Sequence, residues 1–194
     1  MDFRWDIFVE SIPILLKGAV IAAQLTVISV VIGLLIGLFG GLGRVSSNLV
    51  VNRLALAYVT VMRGIPLLVT LMFMYYGLPA VGIDLTAFTV ALLALSVTNG
   101  AYVTEIIRAG IQSIDSGQMR AARSLGMPYG LAMRRIILPQ VVRRVLPPIT
   151  NEAITLLKNT ALISTIALTD LLRSGLEIMA WKRPILSVRL QAWR

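Results

Sequence analysis

Four polar residues interrupt stretches of this sequence that are otherwise apolar enough to cross a lipid bilayer. Arg63 lies in the stretch 54–78, and Glu152, Lys158 and Asn159 lie in the stretch 141–172. An ionisable group inside a membrane is costly and usually faces protein or a water-filled path. A guanidinium suits a carboxylate, and a carboxylate beside an amide suits an ammonium or amide group. The four residues are therefore candidates for lining a polar pathway through the membrane.

Helical spacing places the candidates of the stretch 141–172 on different faces of a helix. Glu152 and Lys158 are six residues apart, which places them about 240° apart around a helix, so they are not expected to pair. Glu152 and Asn159 are seven apart and share a face. Two structural alternatives stay open: Arg63 binds a backbone carbonyl, and Glu152 with Asn159 provides polar packing between helices.

The composition indicates an integral membrane protein. The 194 residues are 57% hydrophobic and 14% charged, against about 45–50% and about 25% in soluble domains. The sequence has no His and no Cys, which excludes thiol chemistry, disulfides and most transition-metal sites. We expect no metal and no cofactor. The net charge of +9 fits cytoplasmic loops of a membrane protein better than a nucleic-acid partner, because no basic face carries interleaved aromatics.

Four spans are predicted, at about 12–42, 54–78, 85–111 and 141–172. The first is read as a retained span and not as a cleaved signal, because it is too long for a signal core. Basic residues lie in the first and third loops but not in 79–84. The positive-inside rule then puts those two loops in the cytoplasm and the N-terminus outside.

Smaller patterns predict how the spans pack. Gly33 and Gly37 form a small-xxx-small pair that permits close helix contact. Asn99-Gly100, in the middle of span three, marks a packing or kink site. Glu105 and Arg108 are three residues apart and are expected to form a local ion pair.

The stretch 115–140 cannot span, because charges recur every few residues. It is predicted to form two short helices joined at Gly126-Met127-Pro128. It carries a spaced set of residues: Ala121, Ala122, Gly126, Ile136, Leu138 and Pro139. This set resembles the "EAA" loop of binding-protein-dependent ABC permeases, whose pattern is Glu-Ala-Ala, three residues, Gly, nine residues, Ile-x-Leu-Pro.

Other segments are similar to the histidine/glutamine/arginine/glutamate type of these permeases. They are 63–69 (RGIPLLV), 105–111 (EIIRAGI) and 156–162 (LLKNTAL). The resemblance implies an all-α, MetI-like transmembrane domain over 1–180 in a bacterial cytoplasmic membrane, with a coupling loop at about 115–140. It also implies the partners of such an importer: two ATPase subunits, a second permease subunit that is identical or paralogous, an external solute-binding protein, a polar amino acid and membrane lipid.

The physical properties of the loop agree with a coupling role. Ala121 and Ala122 are expected to let a partner pack close to the backbone, and Gly126 permits a sharp bend because it tolerates positive φ. Leu138-Pro139 is expected to end one helix and start the next. Such a helix–turn–helix can pass closure of an ATPase to the spans as a rigid-body motion.

The sequence departs from the family pattern at three places. Arg120 occupies the acidic position of the loop, which is expected to weaken contact with a typical partner ATPase. Lys158-Asn159-Thr160-Ala161 replaces Lys-Asp-Thr-Ser. The residues 181–194 do not resemble the family, whose final span is missing from this sequence.

Two alternatives to an import permease follow from these features. The chain is either a non-transporting, truncated remnant, or a channel or secondary transporter that works alone. An enzyme is not expected. The sequence has no G-x-x-x-x-G-K-[ST] phosphate loop, so ATP hydrolysis would be the work of a partner.

Overall fold

The protein is described from a computed structural model, which covers residues 5–166 and 168–181. The segment 181–194, which does not resemble the family in sequence, lies outside these residues apart from Trp181. Within them the chain forms eight α-helices: α1 Trp5–Arg44, α2 Leu49–Gly64, α3 Leu67–Met72, α4 Ala87–Gln112, α5 Ser116–Ser124, α6 Tyr129–Ala132, α7 Leu138–Asn159 and α8 Leu171–Trp181.

Two long apolar helices, α1 and α4, form the centre of the fold. They run in the same direction, as spans one and three must if span two crosses the membrane between them. Gly33 lies against Asn99, and Gly37 lies against Val103. A Cβ at Gly37 would come within 2.3 Å of the Val103 side chain, so the two backbones meet closely only because the position is glycine. The predicted packing role of the Gly33/Gly37 pair is confirmed.

Span two is broken in its middle. The axes of the segments Leu49–Gly64 and Leu67–Val81 differ by 97°. Pro66 has no N–H to continue the helical ladder, and it disfavours the helical conformation at Ile65, whose φ of −96° and ψ of 126° are extended. The interruption predicted in the sequence is therefore a sharp corner between two half-helices.

Span four is also divided, where the sequence predicts one continuous span. α7 ends at Asn159 and is followed by a 3-10 helix, Thr160–Ile166, and then by α8. Three hydroxyl groups fit the tighter turn, because each donates a hydrogen bond to the carbonyl three residues earlier. They belong to Thr160, Ser164 and Thr165. The prediction of one continuous span over 141–172 is therefore wrong for its second half.

By length and composition, Ile7–Arg44 within α1 and Ala87–Gln112 can each cross a membrane. If each bent pair of helices counts as one span, the described residues contain up to four spans. α1 has 40 residues and is about 60 Å long, so it exceeds the hydrocarbon thickness of about 30 Å. Its ends therefore extend beyond the hydrocarbon or the helix tilts.

Candidate functional site

A polar cavity of about 300 Å³ lies where span two breaks. Its wall comes from three parts of the chain: the corner between α2 and α3, the middle of α4 and the second half of α7. The lining residues that carry polar groups are Arg63, Thr98, Tyr102, Glu152, Thr155 and Asn159. Irregular backbone at membrane depth is tolerated where it lines a cavity, and this corner does so.

Arg63 reaches the cavity from the last turn of α2. The carbon centre of its guanidinium lies 5.1 Å from the centre of the Tyr102 ring on α4. A cation over an aromatic face is stabilised by the negative potential of the ring. The guanidinium is therefore oriented by α4 and still borders the cavity. The contact with an aromatic ring was not among the roles predicted for Arg63.

Glu152 and Asn159 reach the cavity from α7. They lie on one face of this helix, as their seven-residue spacing predicts, and Thr155 lies between them. Glu152 is half-buried within the chain. The lining of the cavity therefore contains one cation, one carboxylate, an amide and three hydroxyl groups. The sequence did not single out Thr98, Tyr102 or Thr155, because nothing in their own neighbourhoods marks them as cavity residues.

The structure does not bring Lys158 into this cavity. Lys158 lines a separate, largely apolar groove of about 910 Å³ formed by α1, the end of α7 and α8, where Asp170 is also found. The separation from Glu152 follows from the six-residue spacing. Of the four residues predicted for the pathway, Arg63, Glu152 and Asn159 share one cavity and Lys158 faces another.

The predicted coupling loop folds as a helical hairpin. α5 and α6 are joined by a turn in which Gly126 has a φ of 80°, the left-handed conformation that favours glycine. The hairpin packs back onto the spans through an apolar cluster. Its buried members are Ile137, Val141 and Val145, and Ile106, Ile111, Met119 and Ile136 pack against them.

The chain runs through Leu138-Pro139 without a break, which differs from the expected end of one helix and start of another. A π-helical turn, Met133–Ile137, leads directly into α7, and the N–H of Leu138 donates to the carbonyl of Met133. Pro139 falls in the first turn of α7, and because proline has no N–H, the helical ladder lacks one hydrogen bond at this junction. The predicted boundary is thus a change of helix type within one continuous rod.

The residues of the loop pattern divide into an outer and an inner set. Arg120, Ala121 and Pro139 are exposed, and Leu138 is 44% exposed. Ala122 is only 2% exposed. The expectation that both alanines meet a partner is therefore wrong for Ala122, which packs within this chain because it lies on the inner face of α5.

The sequence did not single out two large exposed side chains of the hairpin. Leu125 is 82% exposed and Tyr129 is 59% exposed, on either side of the Gly126 turn. The available signal was their position: an apolar residue at the tip of a short, otherwise polar hairpin cannot reach the core. The tip therefore presents apolar area to whatever binds this face.

Comparisons with known proteins agree with this architecture. Residues 29–180 match the family of binding-protein-dependent transport system inner membrane components. The arginine transport system permease protein ArtQ of Bacillus subtilis is 41% identical over 178 residues, which cover 91% of this chain and 81% of that protein. The glutamine transport system permease protein GlnP of Escherichia coli K12 is 37% identical over 182 residues, which cover 93% of this chain and 83% of that protein.

Solved structures give the same assignment. The crystal structure of an amino acid ABC transporter with histidines superimposes with a TM-score of 0.88 at 41% identity, covering 96% of this chain and 87% of that one. The MetNI methionine ABC transporter, in an inward-facing conformation, has the same fold, with a TM-score of 0.71 at 21% identity over 88% of this chain and 82% of that one. The chain therefore belongs to the inner membrane components of binding-protein-dependent transport systems, as a multi-pass permease subunit with the MetI-like fold.

Proposed function

We propose that this permease subunit forms a pathway for polar amino acids in an ABC importer, and that the polar cavity at the broken span receives the substrate. The observation that carries the proposal is the meeting of Arg63, Glu152 and Asn159 in one cavity at the break of span two. Binding sites at discontinuous transmembrane helices are a recurring arrangement in transporters. The names of the arginine and glutamine permeases that the chain resembles support the same class of solute.

The cavity suits the two charges that every free amino acid carries. Arg63 is placed to bind the α-carboxylate, since a guanidinium presents paired donors to a carboxylate. Glu152 is placed to bind the α-ammonium group, and the Asn159 amide is placed to bind a polar side chain. Each substrate charge would meet an opposite charge, which offsets the cost of leaving water.

The exposed face of the hairpin is proposed to bind the partner ATPase. Arg120, Ala121 and Leu125 lie on this face, and the apolar cluster beneath it fixes the hairpin to α4 and α7. ATP hydrolysis then belongs to the partner, and this chain is not itself an enzyme. A second permease subunit and an external solute-binding protein complete the proposed importer. The proposed orientation places the hairpin in the cytoplasm and the N-terminus outside.

Reconstitution tests the proposal directly. The chain is placed in liposomes with its ATPase, second permease subunit and binding protein, and uptake of radiolabelled glutamine or arginine is measured with ATP inside. We expect uptake that depends on ATP and on the binding protein. Uptake driven by an ion gradient without the ATPase would support a transporter that works alone. Assembly without any uptake would support a non-transporting remnant.

A further inference from the structure

The carboxylate of Glu105 joins α4 to the end of α1 on the side of the predicted coupling hairpin. Glu105 of α4 lies 3.3 Å from Nε of Arg44, the last residue of α1, and 2.7 Å from a terminal nitrogen of Arg108. Arg44 also donates to the Asn52 side-chain oxygen at 2.9 Å, and the Asn52 amide donates back to the Arg44 carbonyl at 2.7 Å. The α1–α2 corner is therefore closed on itself and tied to α4 through Glu105.

The Glu105 carboxylate is well shielded. The side chains of Glu105 and Arg44 are 17% and 15% exposed. An ion pair at this burial is screened by solvent less than a surface pair, and breaking it leaves a poorly solvated charge. The contact is therefore able to hold two helices in one arrangement.

The position of this network connects the hairpin with the cavity. α4 continues beyond Glu105 for two turns and leads through Ser113 into α5. Arg144 of α7 donates to the Ser113 carbonyl, so the root of the hairpin is held from both sides. On the other side of the network, α2 carries Asn52 in its first turn and Arg63 in its last. One unbroken helix, about 16 Å between these two residues, thus runs from the network to the cavity.

We propose that Glu105 is a positioning residue for transport: its bond to Arg44 makes α2 follow the hairpin, so that movement of the hairpin reaches Arg63. Glu105 touches neither the cavity nor the exposed face of the hairpin. Its effect is through the α1–α2 corner. This inference rests on the proposed function, because it assigns a route between the two sites named there.

The network contains its own control. Arg108 binds the same carboxylate but lies on the same helix, three residues away. Removing Arg108 leaves the bond between α1 and α4 in place. Removing Arg44 breaks this bond and the side-chain bond to Asn52, and leaves Glu105 neutralised by Arg108. The proposal therefore predicts different effects for two arginines that contact the same carboxylate.

The test uses the assembled importer in lipid, with ATP hydrolysis measured without and with substrate-loaded binding protein. For Glu105→Gln and Arg44→Gln we expect normal assembly and basal hydrolysis, with stimulation by substrate reduced about tenfold. The double variant should lose much less stimulation than the sum of the two single losses, because the Glu105–Arg44 contact is the one that both substitutions remove. Arg108→Gln should keep stimulation within about twofold of the parent, and Glu105→Asp should restore part of it.

Each of these measurements can overturn the role proposed for the Glu105–Arg44 bond. Stimulation unchanged in Glu105→Gln, or an equal loss in Arg108→Gln, would overturn the role of the Glu105–Arg44 bond. Additive losses in the double variant would do the same. If Glu105→Gln fails to assemble, Arg44→Gln still tests the contact, since it leaves no unpaired carboxylate. Absence of stimulation in the parent importer would instead overturn the proposed function, and this inference with it.

Discussion

The guanidinium of Arg63 stacks over the ring of Tyr102, with 5.1 Å between the guanidinium carbon and the ring centre. The contact joins the last turn of α2 to the middle of α4 at the level where span two breaks. A cation–π contact contributes about 0.5–1 kcal/mol at exposed sites and about 2 kcal/mol when desolvated. It therefore orients Arg63 without satisfying its charge.

Arg63→Gln is expected to reduce amino-acid binding by the assembled permease by about tenfold or more, because it removes the partner proposed for the substrate carboxylate. Tyr102→Leu removes the ring beneath the guanidinium and one cavity hydroxyl but keeps Arg63, so it should cause a smaller loss. Binding of a radiolabelled amino acid measures both. Equal losses in the two variants would indicate that Arg63 matters through its contact with α4 and not through the substrate.

Glu152→Gln keeps the shape of the side chain but removes its charge. We expect substrate affinity to fall by about 10–100-fold, since hydrogen bonds to charged groups contribute about 1.5–3 kcal/mol. Asn151→Ala is the matched control: Asn151 is the preceding residue, is exposed and does not line the cavity. A loss of affinity as large in Asn151→Ala would count against a specific role for the carboxylate.

Leu125→Ser is expected to weaken binding of the ATPase subunit. Burial of a leucine side chain is worth about 2 kcal/mol, so its loss should raise the dissociation constant about 30-fold. Co-purification at graded ATPase concentrations measures this. Gly130→Ala is the control, because a Cβ at Gly130 meets no atom within 4 Å. Unchanged binding in Leu125→Ser would show that the tip of the hairpin is not part of the interface.

Gly37→Ala is expected to destabilise the permease in detergent by about 1–3 kcal/mol, the usual cost of overpacking. Its Cβ would lie 2.3 Å from the Val103 side chain. Gly43→Ala, in the same helix, has its nearest contact at 3.4 Å and should be neutral or slightly stabilising, because alanine favours a helix over glycine. Thermal unfolding followed by size-exclusion chromatography compares the two. A Gly37→Ala variant with the stability of the parent would show that α1 and α4 do not pack closely at this position.

The orientation is testable with single cysteines, because the chain has none of its own. Val81, 71% exposed in the turn after α3, is a better position than Gly82, whose φ of 83° disfavours cysteine. In intact cells, Val81→Cys should react with a membrane-impermeant thiol reagent, and Ser116→Cys should react only after permeabilisation. The opposite labelling pattern would reverse the proposed topology.

The sequence predicts features that depend on local spacing. The shared face of Glu152 and Asn159, the Glu105–Arg108 ion pair and the Gly126 turn all follow from the helical repeat or from glycine's tolerance of positive φ. The close contact at Gly33 and Gly37 also follows from residue type, although only the structure identifies α4 as the partner.

Features that depend on tertiary packing could not be predicted in this way. The contact of Arg63 with Tyr102 joins residues 39 positions apart, and neither residue type nor spacing selects that pair. The segment after Asn159 forms a 3-10 helix, although its apolar pattern fits a continuous α-helix equally well. The buried position of Ala122 depends on which face of α5 meets α6 and the π-helical turn Met133–Ile137, and neighbouring residues along the sequence do not determine that face.

The glycine contacts between α1 and α4 limit how this molecule can change shape. Where two backbones touch, sliding one helix along the other would drive Val103 into the chain beside Gly37, so the pair has no low-energy translation available to it. The helical ladder is interrupted at Ile65 and again after Asn159, and both residues line the polar cavity. Opening of the cavity in either direction is therefore expected as rotation about these two points, with α1, α2 and α4 moving together as one body.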